Sequence, residues 1–147
     1  MRNRTTPFQF SSTGSQVEVL VQCSPDVRGV TVGVVRSADG DELLEVSYSR
    51  SSNTLTVDHQ RANALYPSAL VQSAPHAIGA PAGFELRVFV DGGLVQTFLD
   101  EATVVTSLAN FSAVRSPPSD RGVAVETNGG DTASGGQCDV RVWALAL

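Results

Sequence analysis

The chain has 147 residues, of which 41% are hydrophobic and 17% are charged, and its formal net charge is −5. This length is typical of one domain with a sizeable core, so we expect a single domain over residues 1–147. The acidic balance and the lack of clustered Lys and Arg exclude nucleic acid as an expected partner. A membrane-spanning helix is not expected either, because no apolar run reaches the roughly 20 residues that such a helix needs.

The amino-terminal segment Met1–Phe10 carries two arginines but lacks the apolar stretch of a secretory signal. The protein is therefore either intracellular or exported by a signal upstream of these residues, and an extracellular location is favoured in the second case. The two histidines, His59 and His76, have no acidic or thiolate cluster at zinc-ligand spacing around them. Neither a metal nor a cofactor is predicted.

Apolar and polar residues alternate along most of the chain, in runs rich in Val, Thr, Phe and Leu that are separated by Gly, Pro, Asn and Asp. The pattern predicts strands at Phe8–Ser12, Gln16–Cys23, Gly29–Ser37, Glu42–Ser49, Thr54–His59, Phe84–Asp91, Leu94–Leu99, Ala102–Ala109, Gly122–Thr127 and Gln137–Leu147. Only Arg61–Leu70 is ambiguous, and Pro67 interrupts any helix there. We expect an all-β fold, a two-sheet antiparallel β-sandwich of the jelly-roll or concanavalin-like type with about ten strands.

The two cysteines end one predicted strand and begin another. Cys23 closes the second strand and Cys138 opens the last one. If these strands lie side by side and antiparallel, the thiols meet, so a disulfide between Cys23 and Cys138 is one interpretation. Two separate buried thiols are the other.

The most informative segment is the predicted hairpin Phe84–Leu99. A two-residue turn at Gly92 and Gly93 pairs Val90 with Val95 and gives one almost purely apolar face, which must belong to the core. The opposite face mixes aromatic, acidic and amide groups, namely Arg87, Phe89, Asp91, Leu94, Gln96 and Phe98.

This hairpin resembles the C-terminal domain of glycoside hydrolase family 32, whose hairpin runs approximately Leu-Arg-Ile-Phe-Val-Asp-Arg-Ser-Ser-Val-Glu-Val-Phe before a strand ending in Thr-Ser. The matching positions are Leu86, Arg87, Val88, Phe89, Val90, Asp91, Val95, Phe98, Thr106 and Ser107. Upstream segments fit the family in order, and these are Val17–Val21, Gly29–Val35, Leu44–Tyr48 and Leu55–Asp58. Near the carboxyl terminus, Val142 and Trp143 fit its last strand.

The resemblance implies an accessory role, because the catalytic residues of this family lie in an N-terminal five-bladed propeller. The motifs that carry them, Asn-Asp-Pro-Asn, Arg-Asp-Pro and Glu-Cys, are absent from this sequence. Glycoside hydrolysis needs a positioned pair of carboxyl groups, and nothing here selects one. We therefore expect no catalysis by this chain alone. The implied partners are a fructan or another neutral glycan, a catalytic β-propeller domain, or another protein.

Fructan-binding relatives use carboxylates and an arginine against sugar hydroxyls, which makes Asp58 and Asp91 the first candidate ligand-binding residues. The family Arg that follows each Asp is replaced by His59 in one case and by Gly92 in the other, and the hairpin Glu is replaced by Gln96. His59 and Gln96 are therefore included as candidates, and Arg61 is the candidate to supply the missing guanidinium. The alternative is that both aspartates serve only local turn and strand-end hydrogen bonds.

A second hypothesis assigns the mixed hairpin face to protein contact without any sugar ligand. In this interpretation Phe89 and Phe98 are exposed beside Arg87 and form an aromatic patch. Trp143 is expected to pack in the core or in an interface.

Overall fold

A computed structural model describes residues 8–11, 13–14, 16–76, 83–111, 120–129 and 137–144. Within these residues the chain forms eleven strands and no helix. They are β1 Phe8–Phe10, β2 Gln16–Cys23, β3 Val27–Arg36, β4 Leu44–Ser49, β5 Thr54–Asp58, β6 Val71–Pro75, β7 Phe84–Asp91, β8 Leu94–Leu99, β9 Thr103–Leu108, β10 Gly122–Gly129 and β11 Cys138–Ala144. The described part of the chain thus contains no helix that could cross a membrane.

The strands form two antiparallel sheets. One has six strands in the order β1-β10-β3-β4-β5-β6, and the other has five in the order β11-β2-β7-β8-β9. The predicted all-β sandwich is confirmed. The tails of two predicted strands, at residue 12 and at residues 145–147, lie outside the described residues.

The core lies between the sheets because alternate residues of each strand face inward. In β7 and β8 the pairs Val90 with Val95 and Leu86 with Leu99 are register partners, and all four side chains are buried. The pairing predicted for this hairpin is therefore confirmed. Its turn needs a left-handed residue, and Gly92 takes that position with φ of 60°.

Strand β6 was not predicted from the sequence, where the preceding residues were ambiguous. It is an edge strand that pairs only with β5, and its first and last residues, Val71 and Pro75, are exposed. Pro is tolerated at an edge because its missing N–H breaks no ladder there. With one sheet neighbour and little inward surface, such a strand carries no clear apolar alternation.

Strands β2 and β11 pair antiparallel, so that Cys23 and Cys138 are register partners. A disulfide joins them across a Cα–Cα distance of 4.0 Å. The bond closes a long stretch of chain, since the two cysteines are 115 positions apart.

A buried ion pair lies at one end of the sandwich. Arg121 Nη2 is 2.9 Å from Glu42 Oε1, and both side chains are 1% exposed. Arg121 Nη1 also donates to the carbonyl of Val35, a β-branched residue held at φ of 50°. Buried charges need this degree of pairing, because removing one partner leaves the other charge without compensation.

Candidate functional site: a polar trough on the six-stranded sheet

A trough of about 230 Å³ lies on the outer face of the six-stranded sheet. Its walls bring two guanidinium groups and two carboxylates together with small and uncharged residues. The lining residues are Gln9, Thr31, Gly33, Arg36, Leu43, Glu45, Arg61, Ala124 and Glu126.

The floor is low because β3 and β10 place small residues side by side. Gly33 and Ala124 are register partners in the centre of the sheet. A Cβ added at Gly33 would lie 3.1 Å from Leu43 Cδ2, so the apolar Leu43 side chain already fills the space above the glycine. The floor is therefore shallow and partly apolar, and the charged groups stand around it.

The β3–β4 turn at residues 37–41 organises the two arginines of the trough. Arg61 Nη2 donates to the Gly40 carbonyl at 2.6 Å, and Arg61 Nη1 lies 3.9 Å from Glu45 Oε2. The other guanidinium packs on the same glycine, since a Cβ at Gly40 would lie 2.5 Å from Arg36 Nη2. Gly40 also has φ of 79°, so both its conformation and its lack of a side chain serve this packing.

The segment after β5 is fixed in place from inside the sandwich. Glu42 Oε2 accepts a hydrogen bond from the Ala64 backbone N–H at 2.7 Å, while its other oxygen pairs with Arg121. The Leu43 N–H donates to the Arg61 carbonyl at 3.0 Å. The buried ion pair thus holds the backbone from which Arg61 reaches into the trough.

Of the predicted site residues, Arg61 and Asp58 lie on this side of the molecule. Arg61 lines the trough, and Asp58 is the register partner of Glu45, which also lines it. Asp58 Oδ1 accepts a hydrogen bond from the Gln60 N–H at 2.8 Å, as the local-turn interpretation expects.

Asp91 and Gln96 lie instead on the outer face of the five-stranded sheet. Asp91 is exposed at the hairpin end, where its Oδ1 accepts from Gln16 Nε2 at 3.0 Å. Gln96 lies in one row between Phe89 and Thr106. The trough therefore does not include them, and the five predicted residues do not form one pocket.

His59, the remaining predicted residue, is buried at the end of β5. Its Nε2 lies 2.8 Å from Gln72 Oε1 on β6. It lines a smaller cavity on the other flank of the β5–β6 connection.

The hairpin face is mixed, as the sequence predicts, but Phe89 and Phe98 are not its most exposed apolar residues. Phe89 and Phe98 are only partly exposed and pack edge to face at 5.9 Å. Arg87 pairs with Glu18, and its guanidinium lies 6.0 Å from the Phe89 ring. The large apolar side chains that reach solvent on this sheet are Leu94, Val104, Leu108 and Trp143.

The turn acids near the trough serve local bonds. Asp39 Oδ1 accepts from Ser37 Oγ at 2.7 Å and from the Asp41 N–H at 3.0 Å. Among the described residues, no group of three or more His, Cys, Asp or Glu side chains is placed to hold a metal ion.

Sequence reasoning missed Arg36, Glu45 and Glu126 as trough residues. The signal for Glu45 was present, because Leu44 and Val46 face inward and Glu45 must then face outward. Nothing local, however, tells which outward residues of β3, β4 and β10 become neighbours, since that depends on strand order.

The family model described as "Glycosyl hydrolases family 32 C terminal" matches residues 2–144. No curated protein matches the chain. Among solved structures, exo-inulinase from Aspergillus awamori is similar at 16% identity with a TM-score of 0.72, over 99% of this chain and 27% of that one. Sucrose-6-phosphate hydrolase from Lactobacillus gasseri is similar at 15% identity with a TM-score of 0.67, over 97% of this chain and 28% of that one.

Fructan 1-exohydrolase IIa from Cichorium intybus is similar at 11% identity with a TM-score of 0.64, over 97% of this chain and 36% of that one. At these identities the likeness establishes the fold, and the chain spans only about a quarter to a third of the length of these enzymes. The family model itself covers nearly the whole chain. The chain therefore belongs to the glycosyl hydrolase family 32 C-terminal domain family.

Proposed function

We propose that this domain is a non-catalytic carbohydrate-binding accessory module whose trough holds the terminal sugar of a neutral glycan. The observation that supports this best is the grouping of Arg36, Arg61, Glu45 and Glu126 around a small, partly apolar floor. Guanidinium groups donate to sugar hydroxyls and carboxylates accept from them, while an apolar floor suits a sugar ring.

The balance of charges favours an uncharged ligand. Among the described residues, two arginines and two glutamates line the trough, so the formal charges of these four side chains cancel. A strongly anionic ligand would face the two carboxylates, and a cationic one would face the two guanidinium groups. Hydroxyl groups act as donors and acceptors at once, so a polyol can satisfy both kinds of group.

A terminal fructosyl unit is our first choice of sugar. The similar structures include an exo-inulinase and a fructan 1-exohydrolase, and the second has also been solved in complex with 1-kestose. The disulfide between Cys23 and Cys138 is the kind of bond that persists in oxidising compartments, so we place the module outside the cytosol.

Titration of ¹⁵N-labelled protein with fructose, sucrose, 1-kestose, inulin and levan tests the proposal. We expect saturable shifts in the backbone amides of the trough residues. Arg61→Ala should weaken binding roughly ten- to a hundredfold, since a hydrogen bond from a charged group is worth about 1.5–3 kcal/mol.

Arg28→Ala is the matched control, because Arg28 is an exposed arginine of the same sheet that does not line the trough. Gly40→Ala should also weaken binding, because its Cβ would displace the Arg36 guanidinium. Equal affinity of the Arg61→Ala and Arg28→Ala proteins would contradict the trough as the binding site. Absence of any shift with all five saccharides would overturn sugar binding altogether.

Exposed apolar side chains on the outer face of the five-stranded sheet support a second candidate function, packing against a catalytic β-propeller domain. Trp143, Val104 and Leu94 are 42%, 50% and 39% exposed there. Exposed apolar side chains on one sheet face are typical of an interface.

Sedimentation of the module with a separately produced family 32 catalytic domain tests this candidate. Val104→Asp should abolish a stable complex, because it places a charge in the apolar contact. Ser73→Asp, at an exposed position of the other sheet, should have no effect. If the wild-type module forms no complex, docking is excluded for that domain, and the trough proposal is unaffected.

A further inference from the structure

A second cavity of about 120 Å³ lies beneath the connection between β5 and β6. It opens where the two sheets meet, because β5, the connection and the residues after β9 all contribute to it. Its lining residues are His59, Ala62, Asn63, Tyr66, Ser68, Leu70, Leu108 and Asn110.

The inner wall is fixed by a hydrogen-bond network that crosses from one sheet to the other. Gln72 Nε2 donates to the Thr106 carbonyl at 3.1 Å, so the amide oxygen of Gln72 faces the other way. Ser107 Oγ donates to this oxygen at 2.6 Å, and His59 Nε2 lies 2.8 Å from it. Nε2 of His59 is therefore the donor in this contact.

A second polar group is oriented by the backbone of the connection. Asn63 is 5% exposed, and its Oδ1 accepts from the N–H groups of Leu65 and Tyr66 at 2.9 and 3.1 Å. These bonds fix the orientation of the side-chain amide. The two hydrogens of its nitrogen then point away from the turn and can donate to a ligand.

The rim is apolar and aromatic. Tyr66 is 73% exposed, Leu70 is 49% exposed and Leu108 is 79% exposed. Three large side chains are thus exposed around one opening. They form a surface against which the apolar face of a ligand ring would pack.

We propose that this cavity is a second saccharide subsite, which receives one ring of an uncharged sugar against Tyr66. None of its described lining residues is an acid, a lysine or an arginine, so the chemistry of the described lining is that of amide, hydroxyl and imidazole groups. Such groups exchange hydrogen bonds with sugar hydroxyls, and the Tyr66 ring covers the apolar face of the sugar.

The two subsites lie on opposite flanks of one short connection. Arg61 reaches the trough from its beginning, while Asn63 and Tyr66 contribute to the cavity a few residues later. Only the class of ligand, a neutral saccharide, rests on the proposed function, because the cavity shares no lining residue with the trough.

The test is a ¹⁵N NMR titration of the whole chain with fructose and with 1-kestose. In the wild-type protein we expect saturable shifts of the backbone amides of residues 63–66, 68–70 and 108–110 as a set separate from the trough. Tyr66→Ala should weaken binding in that set roughly three- to tenfold, as the loss of an aromatic contact predicts.

Leu65→Ala is the matched control, because Leu65 is an exposed neighbour that does not line the cavity. Arg61→Ala should leave the cavity shifts unchanged. Shifts confined to the trough residues, or equal affinity of Tyr66→Ala and Leu65→Ala, would overturn the second subsite and leave the trough proposal standing. Shifts in the cavity set alone would support the subsite while contradicting the trough.

Discussion

The outer faces of the two sheets arise from the same alternation of residues, yet their chemistry differs. The six-stranded sheet presents arginines and glutamates around a floor at Gly33, whereas the five-stranded sheet presents Leu94, Val104 and Trp143 to solvent. One core supports both faces, because most inward residues of the strands are apolar in either sheet. Fold stability and surface chemistry are therefore encoded by alternate positions of the same strands.

The largest effect is expected from breaking the ion pair that underlies the polar face. Arg121→Ala leaves Glu42 buried without its partner, which should lower the free energy of unfolding by roughly 3–5 kcal/mol. Denaturant titration measures this loss. In protein that remains folded, sugar binding in the trough should also weaken, because Glu42 holds the backbone next to Arg61. A loss below about 1 kcal/mol would contradict the role given to the pair.

The disulfide provides the matching test for the other sheet, where it joins β2 to β11. The double variant Cys23→Ala and Cys138→Ala should lose roughly 2–5 kcal/mol of unfolding free energy, because the unfolded chain is no longer cross-linked. Thermal unfolding with and without reductant measures the same loss in the wild-type protein. Sugar binding in the trough should not change at temperatures where the variant is folded. A loss of binding at those temperatures would mean that the trough depends on the disulfide of the other sheet.

An alkaline pH should destabilise the protein through Tyr48. Burial raises the pKa of Tyr48, while the nearby Arg50 lowers it and Asp100 raises it. Because the folded state holds the phenolic proton more tightly than the unfolded chain does, this contribution to stability is present below the ordinary pKa of about 10. It is lost as the pH rises through the pKa of the folded state.

Unfolding by denaturant between about pH 8 and pH 11 measures the effect of Tyr48. Tyr48→Phe should cost about 1 kcal/mol near neutral pH, since the hydroxyl donates to Asn53 Oδ1 at 2.8 Å. That variant should also lose part of the alkaline decline. Tyr66→Phe is the control, because Tyr66 is exposed, and an identical decline in both variants would assign the effect to other groups.

The smallest effect on stability is expected at an exposed apolar residue of the five-stranded sheet. Val104 is half exposed, so Val104→Thr should change the free energy of unfolding by less than about 0.5 kcal/mol while keeping a β-branched residue in the strand. A calorimetric melting curve is sufficient to measure this. A cost above about 1.5 kcal/mol would mean that this face acts as core, which would remove the contrast between the two sheets.

The sequence predicted the hairpin of β7 and β8 down to its register, because alternation and a glycine turn are local signals. It did not predict β6, since an edge strand ending in Pro75 buries too little to leave a pattern. The protein-contact hypothesis considered Phe89 and Phe98 as exposed residues, and the structure leaves both partly exposed. The two rings cover each other across the β7–β8 pair, and that contact depends on their packing.

The candidate site was likewise predictable only in part from the sequence. The sequence by itself determined that Asp58 and Arg61 lie near the end of a strand, and it determined which residues of each strand face outward. Only the tertiary structure decided that Arg36, Glu45 and Glu126 meet Arg61, and that Asp91 and Gln96 belong to the opposite sheet. The physical reason is that the inward or outward orientation of a residue follows from the local alternation along its strand. Which residues become neighbours across strands depends on the strand order, which brings together residues far apart in sequence.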